Sequence, residues 1–305
     1  MIVRPRPTTF QLLYAVRGSV LPSILRDVVL VTSLSALVVL AHKMMPDRVP
    51  VFSSAPLTFI GIALSIFLAF RNSSCYDRWW EGRKLWGVFT AAMRQFARQT
   101  LVLEVDEEGR ALRIRLIHLA IAFIHTVVPH LRPRAGQEAS AMLSEQERAW
   151  VVQGQNPPKR VLLLLSQELA KAHRRGRISD IQFTMLDGTV DRFGLALSGC
   201  ERLGNTPVPF GYSLLLQRTA WLFCLFIPFG FADTLGWLTP VAVAIIAYCF
   251  FGLDAMGDQL ERPFGTQPNA LPIEALARII EINMREALGE TDLPPLPQPV
   301  DHVLM

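Results

Sequence analysis

The chain has 305 residues, 51% of them hydrophobic and 18% charged, and its mean hydropathy is +0.31. Charged residues make up about a quarter of an ordinary globular protein, so this composition excludes a plain soluble chain. The net charge of +4 comes from dispersed Lys and Arg with no basic run of recognition length, which excludes a nucleic-acid partner.

The charge deficit is concentrated in residues 28–41, 49–70, 214–231 and 235–253, while 71–213 is as charged as a soluble domain. That distribution predicts two pairs of membrane spans with a large aqueous region inserted between them. In chain order, residues 1–27 carry Arg4, Arg6, Arg17 and Arg26 with Phe10, Leu13, Tyr14 and Val16 between them. This reads as one or two short amphipathic helices at the membrane surface. The segment has no continuous apolar core ahead of a small-residue cleavage site, so it is expected to stay on the mature protein.

The first span is assigned to 28–45. Its core, VVLVTSLSALVVLA, is short for about 30 Å of hydrocarbon at ~1.5 Å per residue, so it needs Met44 and Met45 or residues before Arg26 as well. MPDRVP is a proline-bounded turn. The second span, 49–70, ends at Arg71 and Asn72. Beyond it, 76–102, 110–131, 139–152, 160–175 and 178–203 have apolar residues at helical spacing. ALRIRLIHLAIAFIHTVV within them resembles a fifth span by hydropathy. Arg113, Arg115, His118 and His125 oppose that reading, because each Arg costs a few kcal/mol at mid-bilayer. A buried helix of the aqueous region is expected instead.

The second hairpin, 214–231 and 235–253, turns near Ala232, Asp233 and Thr234. Residues 254–305 supply one amphipathic helix (274–289) and the tail LPPLPQPV, extended and either disordered or laid along a neighbour. The two short turns hold only Lys43 and Arg48 of the 30 Lys and Arg. By the positive-inside rule both termini are therefore expected in the cytoplasm.

The second span is chemically the most informative. Residues four apart share a helical face, so Gly61, Ser65 and Ala69 form a small-residue stripe and Ile62, Ile66 and Phe70 a bulky one beside it. Small residues at that spacing let helices approach closely in a membrane. Around an axis, the bulky stripe of several copies would make stacked apolar rings over about 12 Å, of the kind that gate ions by dewetting. Lipid-facing or ordinary packing is the competing reading of the same stripe. In RNSSCYDRWWEGRKLWG, Trp79, Trp80 and Trp86 read as an interface belt or as packing beneath it. Arg71, Arg78, Arg83 and Lys84 would pair with Asp77, Glu81 or lipid phosphates.

Enzymatic readings find little support. His118, His125 and His130 do not recur at i, i+4, and neither HExxH, GxSxG nor a glycine-rich phosphate loop occurs. Cys75, Cys200, Cys224 and Cys249 make no CxxC pair, which argues against a disulfide framework or a metal site. The spans lack internal acidic residues and an inverted repeat, which counts against a coupled transporter.

FRNSSCYDRWWEGRKLWG after the second span, CERLGNTPVPFGYSLLLQR leading into the third and ERPFG after the fourth together resemble the bestrophin family, especially its bacterial branch. The resemblance implies an all-α membrane protein in the bacterial inner membrane. Each subunit would have four transmembrane helices and a large cytosolic helical region, and five subunits would form a homopentamer around one axial pore. Its partners would be its own copies, membrane lipids and permeant monovalent ions, with no cofactor. Carried over by residue, Ile62, Ile66 and Phe70 would form the pore neck, and Ile181 a second constriction near the cytosolic exit. Asp180 would add an acidic ring favouring cations. Animal members follow PFG with acidic residues that bind calcium, whereas this chain reads PFGTQPNALP. Calcium takes about six to eight oxygen ligands, and Thr266, Gln267 and Asn269 bring no charge, so calcium activation through that segment is not expected. Chloride is the usual family ion, while the bacterial branch includes conductors of sodium. A coupled transporter and a non-conducting structural or signalling protein are the alternative readings.

Overall fold

The computed structural model describes residues 1–4, 8, 10–11, 14–16, 18–50, 52–133 and 142–305. Arg6, Leu13 and Arg17 of the expected surface helices, and 139–141 of the expected segment 139–152, lie outside the described residues. Among those described, the α-helices are α1 (Leu21–Met44), α2 (Ser54–Gln99), α3 (Glu107–Leu131), α4 (Glu145–Val152), α5 (Pro157–Arg174), α6 (Asp180–Asn205), α7 (Phe210–Leu235), α8 (Thr239–Glu261) and α9 (Ile273–Ala287). The extended pairing among them is confined to single bridges, Ile2 with Val303 and Val300 with Val303. The chain divides into two compact units, one of residues 4–79 and 207–262, the other of 1–3, 80–206 and 263–305.

In the unit of 4–79 and 207–262, one apolar cluster joins four helices. It contains Ile24 and Val31 of α1, Leu57, Leu64 and Leu68 of α2, Phe223 and Ile227 of α7, and Val243, Ala247 and Phe250 of α8. α1 begins well before residue 28, with proline in its first turn, where the missing N–H is no loss. This resolves the shortness of its apolar core. The second hairpin turns later than Ala232–Thr234: α7 runs on to Leu235, and a 3-10 turn at Gly236–Leu238 leads into α8. Gly236 has φ +50, a left-handed conformation that glycine adopts without a Cβ clash, and it decides where the helix stops.

α2 differs most from expectation. It continues unbroken for 46 residues from Ser54 to Gln99, through the charged stretch where the change in composition suggests that one segment ends and another begins. Charge does not interrupt a helix; proline or a satisfied cap does. RNSSCYDRWWEGRKLW contains no proline, and the helix ends in a 3-10 turn at Thr100–Leu103.

In the other unit, α3 is a core helix. Leu116, Ile117, Leu119, Ala120, Ile121, Ala122, Phe123, Ile124 and Val127 are fully buried. Phe123 stacks on Phe193 of α6 at 5.8 Å and meets Phe89 of α2 edge-on, also at 5.8 Å. Such ring pairs contribute about 0.5–1.5 kcal/mol beyond their buried area. Its polar residues find partners inside the unit: Arg113 pairs with Glu104 and donates to the Ala287 carbonyl, and His125 Nε2 lies 2.8 Å from Glu281. Asp106 caps α3 by accepting from Gly109 N–H at 2.7 Å. The proline-rich tail lies along its own unit, with Pro295, Leu296, Pro297 and Gln298 facing His125, Val128 and Arg278 across a cavity.

Among the described residues, four stretches are long and apolar enough to cross a membrane: Leu21–Met44, Ser54–Leu103, Glu107–Leu131 and Phe210–Glu261. The last contains both α7 and α8. They are not alike, because 67% of the apolar window of Glu107–Leu131 is buried in protein against 22–28% in the others. Apolar surface left uncovered by the chain needs another apolar environment, and α1, α2, α7 and α8 carry that demand.

Candidate functional site

α2 presents two opposite faces. At ~100° per residue, Leu57, Leu64, Leu68, Arg71 and Cys75 fall together on the packed side, each less than a tenth exposed. Ile62, Ile66 and Phe70 lie about 180° away and are 54%, 50% and 62% exposed. The structure therefore brings these three residues together as one outward stripe, at least half exposed at each position. Of the neighbouring small residues, Gly61 lies against Phe223, whose ring would be 2.9 Å from a Cβ at that position. Ser65 and Ala69 are exposed. Among the described residues of the Gly61, Ser65 and Ala69 stripe, Gly61 is the one in close contact with a neighbouring helix.

One residue past the stripe, Arg71 lies on the packed side and is 1% exposed. Its guanidinium reaches Asp254 Oδ1 at 2.5 Å and the Asp254 carbonyl at 3.3 Å, bonds Asp258, and lies 3.7 Å from Glu261. Gly257 makes room for it, since a Cβ there would stand 2.7 Å from Asn72 Oδ1 and 3.2 Å from the guanidinium. Arg78 Nε donates to the Glu261 carbonyl at 3.2 Å, and Glu81 pairs with Arg202. These partners correct the local pairing expected of Arg71 with Asp77 or Glu81, for Arg71 is held by α8 and Glu81 by Arg202. The cluster is absent from the sequence-based expectations; its trace is the i, i+4, i+7 spacing of Asp254, Asp258 and Glu261. The tryptophans do not form one belt either. Trp86 is fully buried beside Phe89, Trp79 stacks on Tyr76 at 6.2 Å, and Trp80 is 46% exposed.

Asp180 and Ile181 open α6 in the other unit. Ser179 accepts from Gln182 N–H while the Gln182 side chain accepts from Ser179 N–H, a reciprocal cap. Ile181 is 82% exposed, so it is not a core isoleucine. The Asp180 carboxylate is also exposed and lies 2.7 Å from His173 Nε2.

The remaining histidines of α3 are paired one by one, His118 with Glu290, His125 with Glu281 and His130 with Glu201. No group of three or more His, Cys, Asp or Glu that could hold a metal ion occurs among the described residues. Burial pushes the Cys200 thiol up to about 12, with help from Glu201 and Glu81, a state too protonated for nucleophilic or ligand chemistry.

Residues 1–286 match the family described as Bacterial/Fungal Bestrophin protein. The chain belongs to the bestrophin family. A voltage-dependent anion channel-forming protein of Mesorhizobium japonicum is 39% identical, covering 97% of this chain and 95% of the relative. A protein of the same description from Salmonella typhi is 38% identical over 96% of both. The crystal structure of a bacterial bestrophin homologue from Klebsiella pneumoniae superposes with a TM-score of 0.84 at 33% identity, covering 89% of this chain and all of that one. Membership joins the three sequence motifs, the all-helical fold and the uncovered apolar helices into one description, a membrane-embedded bestrophin.

Proposed function

We propose that this bestrophin is the subunit of a homopentameric ion channel that passes small monovalent ions passively across the bacterial inner membrane, with α1, α2, α7 and α8 as its spans and both termini in the cytoplasm. The observation that carries this reading is the outward stripe of Ile62, Ile66 and Phe70, directly opposite the face of α2 that packs into its own subunit. Symmetry copies that stripe into three apolar rings, a neck that conducts when wetted and blocks when dry. Ser65 and Ala69, exposed on its flank, leave space for the neighbouring copy to approach. Ile181 and Asp180, exposed at the start of α6, would form the second constriction.

Anions are the first expectation for the permeant ion, because the relatives carry anion channel-forming names. The exposed Asp180 carboxylate favours a second reading, cation conduction, since a ring of carboxylates attracts cations. Reversal potential of the purified protein in planar bilayers under a KCl gradient tests both: a shift toward the chloride equilibrium potential supports anions and a shift toward that of potassium supports cations. No conductance, or transport strictly coupled to a second ion, would remove the channel reading.

Calcium independence belongs to the same proposal. The backbone from Phe264 of ERPFG to Leu271 is held from inside by Arg132, 3% exposed, whose Nε donates to the Phe264 carbonyl at 3.1 Å and Nη2 to the Leu271 carbonyl at 2.9 Å. Nη1 pairs with Glu274 at 3.0 Å. A fixed guanidinium thus engages these oxygens, and Thr266, Gln267 and Asn269 in the same segment bring no charge for a divalent cation. Currents should stay within about twofold when calcium is chelated and then restored to micromolar levels; loss and recovery would refute this part.

A further inference from the structure

The turn between α5 and α6 holds a hydrogen-bonded side-chain pair, His173 and Asp180, beside the exposed Ile181. α5 ends with two bonds that cross its final turn: Arg177 N–H donates to the Ala172 carbonyl and Gly176 N–H to the His173 carbonyl, both at 2.9 Å. Gly176 stands between them at φ +68. This is the six-to-one and five-to-two pattern of a glycine-terminated helix, and it folds the chain back at once so that His173 meets Asp180 seven residues on, at 2.7 Å. The imidazole is braced from the side by the Phe183 ring, 5.1 Å away. It lies in the last turn of α5, where the helix dipole favours positive charge, and Asp180 in the first turn of α6, where it favours negative charge.

We infer that His173 is a specificity-determining residue of the ion path, setting through its own protonation the net charge that the Asp180 and Ile181 ring offers to passing ions. The inference rests on the reading of that ring as a constriction. Histidine is the side chain whose charge changes between about pH 5 and 8. With neutral imidazole each subunit contributes one uncompensated carboxylate; with imidazolium the pair is neutral. Asp180 is the carboxylate in contact with the imidazole, and Asp187 and Asp191 stand further along α6. Lys171 is taken by Glu168, and Arg177 by Asp106 and Glu108, while Arg174 and Arg175 point to solvent. Both members of the pair are exposed to water, His173 by 38% and Asp180 by 95%. Their attraction therefore contributes little to stability, while the Asp180 carboxylate stays open to water and its ions.

The test is the cation-to-anion permeability ratio of the full-length channel in bilayers, from reversal potentials under a KCl gradient at symmetric pH values from about pH 8 to about pH 5. The ratio should fall at least about threefold on acidification, because a potential change of order kT acts oppositely on the two ion signs. His173→Gln, which keeps a polar partner for Asp180 but cannot titrate, should hold the ratio at its alkaline value. His173→Arg should hold it at the acidic value at every pH, and about 1 M salt should shrink the difference by screening. A fall retained in His173→Gln, or a wild-type ratio indifferent to pH, overturns this inference and leaves the channel standing. No current from the wild-type protein overturns the channel reading and this inference together.

Discussion

Replacing Ile66 with Ala should raise ion flux through reconstituted protein by about tenfold or more, because it widens and wets the middle of three stacked apolar rings. The side chain is half exposed and its removal leaves no buried cavity, so thermal stability should change by no more than about 0.5 kcal/mol. That split separates the pore from its competitor. A lipid-facing isoleucine would give the same stability and no change in flux. Liposome efflux of potassium and of chloride, measured on Ile66→Ala beside the parent, gives the answer. An unchanged flux for both ions would place the stripe of Ile62, Ile66 and Phe70 against lipid and remove the central support for the neck.

The largest loss of stability should follow from Arg71→Met. Asp254 and Glu261, 14% and 13% exposed, would be left without their shared cation, and breaking a buried pair in this way costs about 3–5 kcal/mol. In a chain of this length that corresponds to a fall of about 5–8 °C in thermal midpoint, readable on detergent-solubilised protein. Asp258 is 63% exposed and can turn to water, so Asp258→Asn should cost no more than about 1 kcal/mol. Equal midpoints for Arg71→Met and the parent would mean that α2 and α8 are held by the apolar cluster alone. Because Arg71 lies on the packed face of the same helix, about 100° from Phe70, its pairing with α8 also fixes which way the stripe turns.

Much of the fold is legible in the sequence because its causes are local. Segregation of charge along the chain marks the four apolar stretches, and helical spacing alone places Ile62, Ile66 and Phe70 on one face. Four residues of spacing suffice for that. The same local logic misplaces the end of α2, because a change in composition at Arg71 resembles a boundary although no proline or cap is present to make one. It also misplaces the second turn, where the left-handed Gly236 and not the polar Asp233 stops the helix.

What the sequence by itself determined is the all-helical character, the uncovered apolar segments, the family motifs and the composition of the stripe, since each follows from neighbours within a turn or two. Only the tertiary structure decided that Arg71 is held by Asp254 and Asp258, partners 183 and 187 residues away, and that Ile62, Ile66 and Phe70 face away from their own core. It also decided that α3, as apolar as a span, is buried in protein, and that His173 reaches Asp180. Periodicity fixes which residues share a face but not what that face meets. The partner of a buried charge or an apolar stripe is chosen by packing between elements remote in sequence, and that choice appears only when the chain is folded.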